Sequence, residues 1–174
     1  MNSRATTDQI AGCLLGIAAG DSLGLPYEGL SAERGAKLFP DRNKHHFIFG
    51  KGMISDDTEH ACFVSQALIH APDDPDRFAR RLARHLRFWL MGLPAGVGMA
   101  TGRAVIKLWL GFSPHNSGVF SAGNGPAMRS PLIGLTHGHD PDRLRSFVQA
   151  STRITHTDPK AFHGAMAVAL AAHM

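Results

Sequence analysis

The densest set of hard oxygen donors in the chain is one run, Ser55-Asp56-Asp57-Thr58-Glu59. Hard divalent cations take oxygen ligands, and adjacent carboxylates and hydroxyls supply them. On a helix, neighbouring side chains diverge, so Asp56 and Asp57 would reach different positions around an ion. The same acids also suit the positive end of a helix dipole, and the spacing alone leaves both uses open. A second acidic pair, Asp21 and Glu28, falls in Gly20-Asp21-Ser22-Leu23-Gly24-Leu25-Pro26-Tyr27-Glu28. Taken alone, Asp21 reads equally as a helix-end polar group and Glu28 as a surface carboxylate.

Two further segments carry binding chemistry. Ser121-Ala122-Gly123-Asn124-Gly125-Pro126-Ala127-Met128-Arg129 is a small-residue loop that enters a helix. Such a loop presents backbone N–H groups to an anion, and Arg129 would add a positive charge, although an ordinary glycine-rich connection reads the same way. In Thr155-His156-Thr157-Asp158, His156 can hydrogen-bond or stack on a ligand, while Asp158 reads as a helix cap. His137 and His139 fall in a polar turn and read as surface residues.

These groups need a scaffold, and the punctuation predicts helices throughout. Thr6-x-x-Gln9 has the form of a capping box, and Ile10, Cys13, Leu14, Ile17 and Ala18 follow at helical spacing. Gly12, Gly16, Gly20 and Gly24 recur every four residues, which implies close approach of a neighbour or a ligand. Residues 29–54 read as loop or short irregular elements. Ser55 is placed to cap a second helix, closed by Pro72, and Asp74-Pro75 starts a third that runs to Gly92. A fourth helix is expected over about 99–110, then a long polar loop over 111–126 and a short helix over 126–135. Asp140-Pro141 and Asp158-Pro159 open the last two helices. No stretch alternates with period two for long enough to form a strand. The expectation is one all-α domain over 1–174, without an internal repeat.

Composition narrows the class. With 174 residues, 44% hydrophobic and 18% charged, the chain is long and apolar enough for a real core. Two cysteines, Cys13 and Cys62, are too few for a disulfide scaffold and point to a reducing, cytoplasmic setting. The net charge of +4 is a mild bias, and Arg77, Arg80, Arg81, Arg84 and Arg87 read as the solvated face of one helix rather than a nucleic-acid patch. No apolar run reads as long enough to span a bilayer, and the polar stretch from Met1 to Gln9 does not read as a signal peptide.

Read in order, the segments resemble one family. Gly12-x-x-x-Gly16-x-x-x-Gly20-Asp21-x-Leu23-Gly24-x-Pro26-x-Glu28, Ser55-Asp56-Asp57-Thr58, Gly123-Asn124-Gly125-x-x-Met128-Arg129-x-Pro131 and Thr155-His156 look like the ADP-ribosylglycohydrolases. Each motif is weak alone; four in order are specific. The resemblance implies a compact, multi-helix all-α fold with two Mg²⁺ ions in a cleft. It implies hydrolysis of the N- or O-glycosidic bond that joins ADP-ribose to a protein side chain or small molecule. It assigns metal ligation to Ser55, Asp56 and Asp57, and catalysis to Glu28 and Asp57. It assigns ADP-ribose contacts to Gly123, Asn124, Gly125, Met128, Arg129 and His156, with the Gly-Asn-Gly loop at the diphosphate.

One departure shapes the expected activity. The family carries a later Asp-x-Asp-Thr/Ser motif that completes both metal sites, and no Asp-x-Asp follows Thr155 here. The resemblance therefore covers the N-terminal half, or a little more, of a full member. The expectation is weak or absent hydrolysis, a doubtful second Mg²⁺ site, and self-association through the apolar face of the last helix. The competing readings are a module that binds ADP-ribose or a nucleotide without cleaving it, and a structural protein of the same fold.

Overall fold

The computed structural model describes residues 5–47, 49–94 and 96–174. Nine α-helices follow one another among them: α1 (Thr7–Gly24), α2 (Ala32–Leu38), α3 (Asp56–His70), α4 (Pro75–Met91), α5 (Met99–Trp109), α6 (Gly125–Met128), α7 (Pro131–His137), α8 (Pro141–Arg153) and α9 (Pro159–His173). A 3-10 turn, Leu25–Tyr27, continues α1. No strand forms among the described residues, and the fold is all-α as expected. Two isolated β-bridges occur, one of them between Val119 and His156.

The local signals act as read at most helix ends. The Thr6–Gln9 capping box is complete at the start of α1. Asp74, Asp140 and Asp158 each accept backbone N–H bonds at the N-termini of α4, α8 and α9, each with Pro at the first helical position. The core is built from α3, α4, α5, α7 and α8. Val64, Phe78, Leu82, Leu86, Val105, Ile133, Phe147 and Val148 are all wholly buried there. The α4 arginines stand on the opposite face, exposed or half-buried.

Helix α9 contributes only alanines to the buried core: Ala161, Ala165 and Ala169. The small side chains let α9 lie directly on α7. A Cβ added at Gly134 would collide with the Ala169 carbonyl oxygen. Gly134→Ala is therefore expected to cost about 1–3 kcal/mol by forcing the two helices apart, measurable as a lower urea midpoint at unchanged slope. The other side of α9 leaves Val168 and Leu170 partly exposed.

Several expectations need correction. Residues 29–54 contain a helix, α2, capped by Ser31. It carries no apolar stripe and buries only Gly35, so periodicity could not find it. The single helix expected over 126–135 is two, because Pro131 starts α7 afresh after the turn at Arg129 and Ser130. The glycine ridge of α1 meets no neighbour: nothing lies within 4 Å of a Cβ built at Gly12, Gly16, Gly20 or Gly24. Thr7–Tyr27 is also long and apolar enough, by length and composition alone, to cross a bilayer, because its glycines and alanines add length without charge. One tie to the rest of the fold runs through buried Asp21. His137 is not a surface residue. It is 5% exposed and packs on Phe147 at 4.1 Å between ring centroids, and burial pulls its pKa down to about 4.

Candidate functional site

The acidic run sits where α3 begins, and a residue from another helix holds it there. Ser55 occupies the N-cap position, but its own side chain does not cap. Asp21, in the last turn of α1, reaches across instead. Its carboxylate accepts from Ser55 N at 2.8 Å, Ser55 Oγ at 2.7 Å, Thr58 N at 3.2 Å and Thr58 Oγ1 at 2.5 Å. Two amides of the helix end and two hydroxyls are thus satisfied by one buried anion at the positive pole of α3. The Gly-Asp-x-Leu-Gly segment points to Asp21 and the acidic run to Ser55 and Thr58, but nothing in the sequence pairs the two segments across 34 residues or more.

With Ser55 and Thr58 turned toward Asp21, Asp56 and Asp57 face a cleft of about 230 Å³. Glu28 stands at the same cleft, as do Met99 and Thr101 from the start of α5. Ser121, Gly123, Asn124, Gly125 and His156 complete its lining. Gly96, at φ +81°, lies so close over Asp56 that a Cβ there would come within 2.6 Å of Oδ1. Burial raises the Asp56 pKa to about 7, and the neighbouring Asp57 and Glu28 carboxylates push the same way. Burial also raises Asp57, helped by Asp21 and Glu28. A larger hollow, about 470 Å³, lies between α1 and α2. Its lining includes Tyr27 and Arg42 but no carboxylate, so it offers no acid–base pair.

The glycines of the loop answer to the imidazole. A Cβ at Gly123 would lie 2.9 Å from His156 Nε2, and one at Gly125 would lie 3.1 Å from its Cε1. The ring therefore packs against the main chain of the loop. Val119 N donates to Thr155 O at 3.1 Å and Thr157 N to Val119 O at 3.0 Å, which pins the loop to the segment carrying His156.

Two expected ligand contacts fall elsewhere. Arg129 does not reach the cleft; it is wholly buried behind it, donating from Nε to Ser151 Oγ at 3.0 Å and from Nη2 to Ser151 O at 2.8 Å and Thr155 Oγ1 at 2.6 Å. The turn that ends α6 points its side chain inward, so it cannot touch a diphosphate. Met128 is half-buried and also off the cleft wall. A residue that sequence reading missed is His60, one turn beyond Asp56. It is wholly buried, edge-on to Trp89 at 4.5 Å, with no hydrogen-bond partner on either ring nitrogen among the described residues. Trp89 Nε1 in turn donates to Glu59 Oε2, which takes Glu59 away from the acidic cluster.

An acid-lined cleft set between helix ends in an all-α domain defines a class of helical protein with a polar ligand site. Comparison with known proteins gives the family. The ADP-ribosylglycohydrolase model matches residues 2–174, and the chain belongs to that family. It is 34% identical over 169 residues to an uncharacterised protein of Archaeoglobus fulgidus, covering 94% of this chain and 54% of that one. It is 30% identical to the ADP-ribosyl-[dinitrogen reductase] glycohydrolase of Rhodospirillum rubrum, covering 91% and 55%. It is also 30% identical to the chicken (Gallus gallus) ADP-ribosylhydrolase ARH3, covering 99% and 51%. Among solved structures it is similar to an ADP-ribosylglycohydrolase-related protein complex, with a TM-score of 0.66 and 28% identity over 93% of this chain and 54% of that one. The chain thus spans about half the length of the relatives it matches.

Proposed function

We propose that the chain carries the ADP-ribose-recognising part of a Mg²⁺-dependent hydrolase that cleaves the glycosidic bond of ADP-ribose on a protein side chain or small molecule. The observation that carries this reading is one cleft lined by Glu28, Asp56 and Asp57 together with the Gly123–Gly125 loop and His156. The names of the Rhodospirillum and chicken relatives supply the substrate class. The two cysteines in 174 residues suit a reducing cytoplasm.

The residues present fit part of a magnesium site. Asp56 and Asp57 are carboxylates whose pKa values are raised by burial and by neighbouring carboxylates, an environment that a bound cation would relieve. Ser55 gives its hydroxyl proton to Asp21, which leaves its oxygen lone pairs free for a cation. Ser55, Asp56 and Asp57 would hold the ion. Among the described residues no group of three or more His, Cys, Asp or Glu side chains could hold a metal ion, so an ion here would rest on two carboxylates, a hydroxyl and water. Bound Mg²⁺ would supply charge to orient the ribose hydroxyls and offset developing negative charge.

The chain's own residues do the rest. Glu28 is exposed at the cleft and is placed to take a proton from a water attacking the anomeric carbon, whose transition state has oxocarbenium character. Asp57 aligns the same water. His156 hydrogen-bonds the ADP-ribose, and Gly123, Asn124 and Gly125 contact the diphosphate by backbone. Gly123, Asn124, Gly125 and His156 can hold a ligand without a cation, which also favours a second reading, a module that holds ADP-ribose without cleaving it.

Calorimetry with ADP-ribose, with and without Mg²⁺, beside an assay of ADP-ribose release from a modified peptide, tests both. Mg²⁺-strengthened binding supports the hydrolase reading, and Glu28→Gln should then lower any turnover about a hundredfold at nearly unchanged affinity. Binding indifferent to Mg²⁺ without turnover supports the module. No binding in either condition sinks both readings.

A further inference from the structure

The largest wholly buried side chain among the described residues is Arg129, and no described carboxylate pairs with it. It is wholly buried, and burial alone lowers its pKa to about 9. A buried guanidinium without a counter-charge is costly, so its position calls for a reason beyond packing. Two of its hydrogen bonds end on Ser151, and the third leads toward the cleft. Nη2 donates to Thr155 Oγ1 at 2.6 Å, and Thr155 Oγ1 lies 2.8 Å from His156 Nδ1. Thr155 is wholly buried and His156 is 2% exposed.

The proton count in this chain has one economical solution. Arginine only donates, so Thr155 Oγ1 accepts from Arg129. The hydroxyl then has one proton to give, and His156 Nδ1 is the acceptor within reach. If Nδ1 carried its own proton, Thr155 Oγ1 would accept twice and its hydroxyl proton would be left without an acceptor in a buried site. Nδ1 is therefore the bare nitrogen and Nε2 carries the hydrogen. Burial and the Arg129 charge also hold the His156 pKa down at about 4, so the ring is neutral at physiological pH. Nε2 is the atom turned to the glycine loop, with Gly123 lacking the Cβ that would stand 2.9 Å away.

We propose that Arg129 is a positioning residue that acts through Thr155 to fix His156 as the neutral Nε2–H tautomer, which presents a single hydrogen-bond donor to an oxygen of the bound ligand. This gives the arginine a role other than direct anion contact. The tautomer assignment stands on geometry alone; the consequence for ADP-ribose rests on the function proposed above.

Long-range ¹H–¹⁵N correlation spectra of the ¹⁵N-labelled chain read the tautomer directly, with His156 assigned by His156→Asn. The wild type should show a pyrrole-type Nε2 and a pyridine-type Nδ1. Thr155→Val is nearly isosteric and should shift the ring toward a tautomer mixture, while Thr155→Ser keeps the hydroxyl and should restore the wild-type pattern. Arg129→Met should act like Thr155→Val if it folds; the threonine pair decides the matter if it does not. In parallel, Thr155→Val should weaken ADP-ribose binding about tenfold, and Thr155→Ser should not. A wild-type Nδ1–H ring, or a Thr155→Val ring with unchanged nitrogen shifts, overturns the proposal. If the spectra behave as stated but no variant binds ADP-ribose, the relay stands and the assigned ligand is wrong.

Discussion

Asp21→Ala is expected to remove about 3–5 kcal/mol of stability, the largest loss from any single side chain of the cleft. The carboxylate accepts four hydrogen bonds at the head of α3. Alanine leaves the Ser55 and Thr58 amides and both hydroxyls without their acceptor, and each buried unsatisfied donor costs about 1–3 kcal/mol. Relief of the repulsion between Asp21 and Asp57 returns a part of this. Asp21→Asn keeps one acceptor oxygen and should fall between alanine and the wild type. Urea unfolding followed by circular dichroism measures the difference. A loss below about 1 kcal/mol would mean that α3 finds its cap elsewhere and that Asp21 does not hold the acidic run in place.

Asp56→Asn should act with opposite signs in the absence and presence of Mg²⁺. The folded-state pKa of Asp56 is raised from 3.8 to about 7, so between these values the folded chain holds a proton that the unfolded chain has lost. Stability contributed by this group therefore falls as pH rises from about 4 to about 7, and the penalty is complete above that. Asparagine removes the penalty. The metal-free Asp56→Asn protein should be more stable than wild type at pH 8, and nearly equal to it at pH 4. Water in the cleft screens the carboxylate, which holds the gain to about 0.5–2 kcal/mol. Mg²⁺ should raise the wild-type melting temperature, and more at pH 8 than at pH 6, because the cation displaces a proton. The Asp56→Asn protein should lose most of that response. Differential scanning fluorimetry across pH and Mg²⁺ concentration reads all four arms. A variant that is destabilised at pH 8 without metal would show that Asp56 is a structural acceptor, not a carboxylate held in reserve for a cation.

Much of this architecture is legible locally, because helix starts are chemical events between near neighbours. Asp74-Pro75, Asp140-Pro141 and Asp158-Pro159 each need only the next two or three residues to cap a helix, and each does so. What escaped depends on the third dimension. The direction of Arg129 follows from the turn at the end of α6, and nothing in a Gly-Asn-Gly loop says whether the arginine beyond it faces out or in. His137 looks polar in sequence, yet the crossing of α7 and α8 lays it on Phe147. The grouping of Asp56, Asp57, Glu28 and His156 is implied only by the family resemblance, while the reason Gly123 and Gly125 are glycines lies in the ring packed against them.

The stitching of Val119 to the segment before α9 has a kinetic meaning. Ser117 Oγ donates to Ile154 O at 2.7 Å on one side of Val119, and the Val119 pair binds Thr155 and Thr157 on the other. The glycine wall of the cleft and its imidazole wall are therefore one cooperative unit, opened by breaking the same few bonds. Closing that run of residues onto the body costs loop entropy once, for both walls. The Val119 and Thr157 amides should then exchange with solvent in a single sub-global opening, with a free energy below that of unfolding the α3–α4–α8 core. A ligand held between the two segments would then have a lifetime set by these stitches as much as by the groups that touch it.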